Sequence, residues 1–319
     1  MTNAIPRRQN ELVYLVRAHR EADRQAKYTA IAQITLSFVS AILGPSLAWL
    51  VSRNYPAYGP SAKAWAGLIA IATIAVDVVF LEPRVKRFRE LKARLQDQFD
   101  TAVYDLPWNG VKAGRPVDAG EITALADRHK AAFPDDKPFL DWYPASVGEV
   151  PMSYARLLCQ KSSMRWDSSL RDLFCLIYSV LLALLVGIGF VFAMAAHYDM
   201  QALVLSVLMP VLPAALQIWR ERQKNTEAGE DMDRASQKVE ALLDGLLAGS
   251  LTDDEAKHQS RLLQDELFDR RRRAPSIPER LYQYKRDEDE KKMKVAALER
   301  VNQMKQKLGL PTGNTVSGS

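Results

Sequence analysis

The chain has 319 residues, a formal charge of +5 at pH 7 and an apolar share of 48%. Its mean hydropathy is only −0.18, so it is not made wholly of membrane spans. The apolar residues are gathered in runs between charged stretches, the pattern of a membrane protein with a large soluble part. The mild basic excess fits membrane flanks and does not by itself point to duplex nucleic acid. With only Cys159 and Cys175, a disulfide framework and a cysteine metal site are not expected.

Residues 1–27 carry Leu12, Val13, Leu15 and Val16, followed by Arg17, Arg20, Arg24 and Lys27. The pattern predicts a cytoplasmic amphipathic helix, solvated and lying at the membrane surface. It is polar and charged and does not read as a signal peptide, so the first span is expected to direct insertion.

Residues 28–82 read as a first transmembrane hairpin, with spans at 28–52 and 64–81 joined by the turn RNYPAYGPSAK. Gly44-Pro45 should kink the first span. Gln33, Thr35, Ser37 and Ser40 place polar groups in it, as inter-helix hydrogen bonders or as the lining of a wet pore. Asp77 interrupts the second span. A carboxylate there is costly; it is expected to pair with Arg84 or reach the headgroups, or else to line the pore.

Residues 83–172 form a middle segment, the candidate sensor. Val85, Phe88, Leu91, Leu95 and Phe99 make an amphipathic helical stripe. A loop is predicted over 110–116. Asp118 and Glu121 resemble a capping box that opens a helix ending near Ala132. Residues 137–151 read as irregular, and Pro151 suits the first turn of a helix through Tyr154, Leu157 and Leu158.

Residues 173–219 are a second hairpin, with apolar runs 173–196 and 202–219, a tight turn over 197–201, and a bend at Pro210 and Pro213. In the helical C-terminal region, 220–308, Met232, Ala235, Val239, Leu242 and Leu246 form a seam. It could pack intramolecularly or against another subunit. Gly249 ends that helix. Thr252 and Glu255 form a second capping box, opening a helix through about Arg273. A break covers 274–278, a charged helix covers 279–307, and 309–319 reads as disordered.

Lys and Arg cluster before the first and third spans and after the second and fourth, while Arg53 and Lys63 alone face the other side. By the positive-inside rule both termini and the middle segment are cytoplasmic. The expected fold is an all-α integral membrane protein of four spans in two hairpins, with a mainly helical cytoplasmic domain.

No phosphate loop, H-E-x-x-H, G-x-S-x-G or paired C-x-x-C is present, so no catalytic residue, cofactor or metal is expected. The middle segment is instead rich in aromatic and guanidinium groups. Bases stack on aromatic rings and Arg takes phosphate bidentately. Trp108, Asn109, Trp142, Tyr143, Arg156 and Arg165 are therefore candidate ligand contacts. The alternative is that the aromatics are core and the arginines sit at headgroups.

The runs QDQFDTAVYDLPWNG (96–110), DWYP (141–144), ARLLCQKSSMRWDSSLR (155–171) and LLQDELFDRRRRAPSIPERLY (262–282) resemble the SMODS-associating four-transmembrane effector family. The likeness covers nearly the whole chain. Such proteins are the pore-forming effectors of CBASS antiphage operons. The resemblance implies a bacterial inner-membrane protein that senses a cyclic di- or oligonucleotide and permeabilises the membrane in abortive infection. It assigns no ligand residues. Four spans fill their own centre, so a pore implies a homo-oligomer. The rival readings are a non-conducting adaptor that binds a protein through its helical tail and, less favoured, a membrane-tethered enzyme.

Overall fold

The computed structural model describes residues 2–195, 200, 209–274 and 279–311, which form α-helices, short 3-10 and π turns and connecting loops. Among these residues there is no strand. Helix α1 (Ile5–Glu11) leads into α2 (Val13–Asn54), and a 3-10 turn (Pro56–Tyr58) joins α2 to α3 (Gly59–Val76). A π turn (Asp77–Leu81) continues α3 directly into α4 (Glu82–Tyr104). After the four-residue α5 (Gly110–Ala113) and α6 (Ala119–Ala132), two 3-10 turns lead to α7 (Met152–Ala195). Then come α8 (Met209–Leu247), α9 (Asp253–Arg273) and α10 (Glu279–Lys307).

The long helices are not divided at the expected membrane boundary. Helix α2 runs through Gly44-Pro45 as one element. Its first half lies in the helical core, with Leu15, Val16, Ala18, Ala22 and Ala26 buried. The solvated surface helix expected for residues 1–27 is thus corrected: even Arg17, His19, Glu21 and Asp23 are buried. They are tolerated because they are paired. Asp23 meets Lys27 and Lys92, both at 2.7 Å, and Glu21 takes a bidentate bond from Arg24. Arg17 reaches across to the 133–136 loop, donating to the carbonyls of Phe133 (2.7 Å) and Asp135 (3.1 Å) and pairing with Asp136.

Beyond the core the same helices turn their apolar residues outward. Trp65, Ile71 and Phe80 of the first hairpin are 65–66% exposed, and Ile188 and Val191 of α7 are 66–67% exposed. Water-soluble proteins rarely expose contiguous apolar surface of this extent. Among the described residues α7 contains a stretch long and apolar enough to cross a membrane.

Away from these exposed apolar faces, α2 packs against α4 and α6, α7 against α8, and one apolar core runs through them. Phe99 and Tyr143 stack at 6.4 Å in its middle. The seam of α8 turns inward, with Met232, Ala235, Val239, Leu243 and Leu246 buried and Leu242 at its edge. Of the two packings left open by the sequence, the intramolecular one is seen. Polar contacts register α7 on α8: Arg171 donates to Asn225 (2.8 Å), and Arg222 donates to Ser179 (2.8 Å).

Local signals act as read where the backbone needs them. Thr252 and Glu255 complete the capping box of α9. Asp118 caps α6 by accepting from Gly120, without the reciprocal bond to Glu121 that a capping box needs. Helix α4 ends at Asp105 in the left-handed region, with φ of 57°, which Asp tolerates better than most side chains. The predicted loop over 110–116 contains the single turn α5, which Asn109 caps. Helix α8 runs through Pro210 and Pro213 as one element. The turn of hairpin two, the break after Ala274 and the tail from 312 lie mostly or wholly outside the described residues.

Two buried histidines give this core a pH dependence. Burial lowers His19 to about 3, helped by Lys92 and Arg20, and its Nδ1–H donates to the Lys92 carbonyl at 3.2 Å. Burial and the neighbouring Arg17 lower His129 to about 4. The unfolded chain binds these protons first, so stability is full above pH 6.5 and falls as the pH drops toward 4. His19 alone costs about 2 kcal/mol between pH 6.5 and about pH 5. The thermal midpoint of detergent-solubilised protein should fall across that range, and His19→Gln should flatten the slope. A midpoint independent of pH would refute this account.

Candidate functional site at the junction of the two hairpins

Helix α9 packs against α4, which continues the first hairpin, and against α7 and α8, which lead into and out of the second. Its buried stripe is Ala256, Ser260, Leu263, Gln264, Leu267 and Phe268, at helical spacing. Two polar residues fall inside that stripe, and α4 answers with Asp97 and Asp100 on the face that also carries Ala93 and Tyr104.

The result is a buried polar layer. Gln264 donates to Asp97 and to Asp100, both at 3.0 Å. Arg271 closes on Asp100 at 2.6 Å, and Tyr143 donates to the other oxygen of Asp100 at 2.7 Å. On the far side Gln160 of α7 donates to the Ser260 carbonyl (2.8 Å) and to Gln264 (3.1 Å), while the Ser260 hydroxyl donates back to Gln160 (2.8 Å). Gln264 thus bonds at once to α4, which continues the first hairpin, and to α7, which leads into the second.

The electrostatics of this layer are uneven. Burial pushes Asp97 up to about 6 against the pull of Arg261 and Gln264, and its Oδ2 has no hydrogen-bond partner. Burial opposes the charge of Arg271, but Asp100 more than offsets this and holds its pKa above the ordinary value. Burial and Asp100 push the Tyr143 phenol well up, so it stays a neutral donor. Burial likewise raises the Cys159 thiol, which makes it an inert core group.

The outer face of α9 is tied to the loop after α4. Arg261 donates to the Pro107 carbonyl (3.1 Å) and pairs with Asp265 (2.7 Å). Asn109 donates to Asp265 (2.9 Å), and Lys112 pairs with Asp269 (2.5 Å). Trp108 lies half-buried on the cluster of Ala93, Ala113 and Phe268, and its indole N–H donates to Gly114 at 2.8 Å.

The six residues singled out from the sequence are spread over this unit, and the structure brings them together only in pairs. Trp108 and Asn109 share the outer loop. Trp142 stands edge-on to Phe99 at 6.4 Å, with the Arg20 guanidinium 5.2 Å from its ring centre. Tyr143 is fully enclosed beside Tyr104. Arg156 is buried, its Nε donating to the Tyr104 carbonyl at the end of α4 (2.8 Å), and burial lowers its pKa. Arg165 is exposed near Lys161, which burial and then Arg165 and Arg300 lower to about 8.

In the hairpin, Gln33 is half-buried and Thr35 exposed, while the Ser37 and Ser40 side chains lie outside the described residues. Asp77 opens the π turn. It makes no ion pair with Arg84 among the described residues, and its Oδ1 is shielded without a hydrogen-bond partner. No cluster that could hold a metal ion occurs among the described residues.

Residues 3–300 match the model of the SMODS-associating 4TM effector domain. The chain belongs to this family. The match spans both hairpins, the core and α9, so the architecture described above is that of the SMODS-associating effector domain itself. A protein of Bacillus cereus (strain VD146), described as a probable CBASS effector molecule, is 23% identical over 288 residues, which cover 89% of this chain and 92% of the relative. No solved structure matches. As its description says, the SMODS-associating effector domain is a four-transmembrane module, and the outward apolar faces of α3 and α7 fit that description.

The sequence reading missed Asp97, Asp100, Gln160, Ser260, Gln264 and Arg271. A signal was present for Gln160, Ser260, Gln264 and Arg271, which continue the apolar stripe of their own helix, where a polar residue is out of place unless another helix pairs with it. Asp97 and Asp100 gave none, because they lie on the face of α4 opposite Val85, Leu91, Leu95 and Phe99.

Proposed function

We propose that this protein is a CBASS effector that crosses the bacterial inner membrane four times, with both termini inside. It senses a cyclic oligonucleotide in the cytoplasm, assembles with copies of itself and permeabilises the membrane. The observation that carries this reading is the family match over residues 3–300, joined to helices that run unbroken from a cytoplasmic core into exposed apolar faces. The description of the Bacillus relative supports the antiphage context.

Continuity of the helices supplies the transmission. A rotation of α4 against α7 in the cytoplasm must reach the spans, because no loop intervenes to absorb it. Helix α9 holds the two hairpins in one arrangement, and the messenger favours another. Moving such an equilibrium from 1:99 to 99:1 takes about 5.5 kcal/mol of differential affinity. In the open assembly Gln33, Thr35, Ser37, Ser40 and Asp77 face the lesion. Trp108 and Asn109 stand at the ligand, and Trp142, Tyr143, Arg156 and Arg165 support it from the core and its edge.

The test is dye release from liposomes that contain the purified protein. Release is expected on adding a cyclic oligonucleotide and not without it. Equal release in both conditions would remove sensing, and no release under either would remove permeabilisation.

A further inference from the structure

The outer surface of α9 carries a charge imbalance that the fold does not need. Lys112, Arg272 and Arg273 all converge on the single carboxylate of Asp269, at 2.5, 3.6 and 3.7 Å. Arg115, in the loop after α5, is exposed and makes no ion pair among the described residues. Exposed ion pairs of this kind contribute little to stability, so three cations on one acid are poorly explained by folding alone. On the same surface Trp108 presents a half-buried ring whose N–H is already bound to Gly114, and Phe268 lies beneath it.

We propose that this face, between α9 and the 105–117 loop, is the site for the cyclic oligonucleotide. The inference rests on the sensing function proposed above and gives it a place. A phosphodiester is an anion that offers two oxygens to guanidinium forks, as a carboxylate does. It takes Lys112, Arg272 and Arg273 from Asp269, while a base stacks on the Trp108 ring. The occupant is soluble, not a lipid headgroup. Ala93, beneath Trp108, lies twelve residues past Leu81, where the span ends, or about 18 Å along the helix from the membrane.

The site also explains how binding reaches the hairpins. Asp269, Arg271, Arg272 and Arg273 occupy a single turn of α9, and Arg271 from that turn points inward to Asp100. Lys112 is one of the ties between the loop and α9, so a ligand that takes it loosens the outer attachment. The same shift moves the turn that carries the inner lock.

The experiment uses the full chain in phosphatidylcholine nanodiscs, titrated by calorimetry with a panel of cyclic di-AMP, cyclic di-GMP, cyclic UMP–AMP and cyclic tri-AMP. The wild type should bind at least one of these. Lys112→Glu with Arg272→Glu should weaken that binding by about tenfold or more, and Trp108→Leu by about tenfold. Arg128→Glu, on the exposed face of α6, should leave it unchanged. If the double variant fails to fold, as judged by its helicity, Trp108→Leu decides the matter. Wild-type affinity in Trp108→Leu and in the folded double variant would place the ligand elsewhere and leave the sensing function standing. A wild type that binds none of the panel and releases no dye with any of it would overturn both. Binding to anionic vesicles that depends on these residues, with no binding of the cyclic probes, would overturn the choice of occupant.

Discussion

Replacing Arg271 by alanine should destabilise the protein by about 3–5 kcal/mol, the usual cost of leaving a buried charge without its partner. Asp100 is enclosed, and Arg271 is the cation that faces it at 2.6 Å. Tyr143 and Gln264 would still donate to Asp100, yet neither brings positive charge. The diagnostic comparison is with the double variant Asp100→Leu, Arg271→Met, which removes both charges and leaves apolar volume. It should recover part of the loss, because a buried ion pair gives little net stability over well-packed apolar groups, while the Tyr143 hydroxyl and the Gln264 amide each lose an acceptor. Thermal or denaturant unfolding of solubilised protein measures both. A loss below about 1 kcal/mol for Arg271→Ala would mean that water reaches Asp100 and that the layer is open.

The same pair of variants bears on function. If the polar layer holds the hairpins in their resting arrangement, the double variant should fold well and respond abnormally to messenger. The apolar pair keeps the contact but removes the directional bonds that fix its register. A folded double variant with an unchanged dye-release curve would assign the layer to stability alone.

The second large effect is expected from Leu184→Arg, in the middle of the apolar length of α7. Leu184 is 54% exposed. In water, a surface change of this kind stays within about 0.5 kcal/mol. At the centre of a membrane span it costs about 2.5–3.5 kcal/mol of insertion free energy. The protein should therefore lose most of its membrane-fraction yield. Leu140→Arg, equally apolar and 43% exposed but outside the apolar length of the long helices, should insert normally. Normal insertion of both variants would argue that the outward face of α7 does not meet lipid.

The residues that report pattern and those that report pairing differ in how far they can be read from sequence. Thr252 and Glu255 act within one helical turn, so their spacing alone predicts the capping box that is found. Helix ends at Ala132, Arg273 and Lys307 follow from equally local signals. The joins behave otherwise. Residues 1–27 and the first span were read as two objects because their compositions differ, yet they are one helix, α2. Backbone hydrogen bonding continues across a change of solvent, and composition marks the solvent boundary, not a break in the helix.

The candidate ligand residues show the limit most clearly. Aromatic rings beside guanidinium groups have the right chemistry for a nucleotide, and also for a core in which Arg156 caps a helix end and Arg20 covers Trp142. Only the fold separates these uses, by enclosing Tyr143 and leaving Trp108 at a surface with excess positive charge.

By itself the sequence determined the all-helical class, the placing of apolar runs and the family to which they belong, since these depend on periodicity and order along the chain. The tertiary structure decided which helix faces meet. It showed that α9 joins the two hairpins through Gln264, Asp100 and Arg271, residues more than 160 positions apart in the case of Gln264 and Asp100. A polar residue on an apolar stripe can be read locally, but its partner at that separation cannot, because a buried charge is tolerated only for what another segment brings to it.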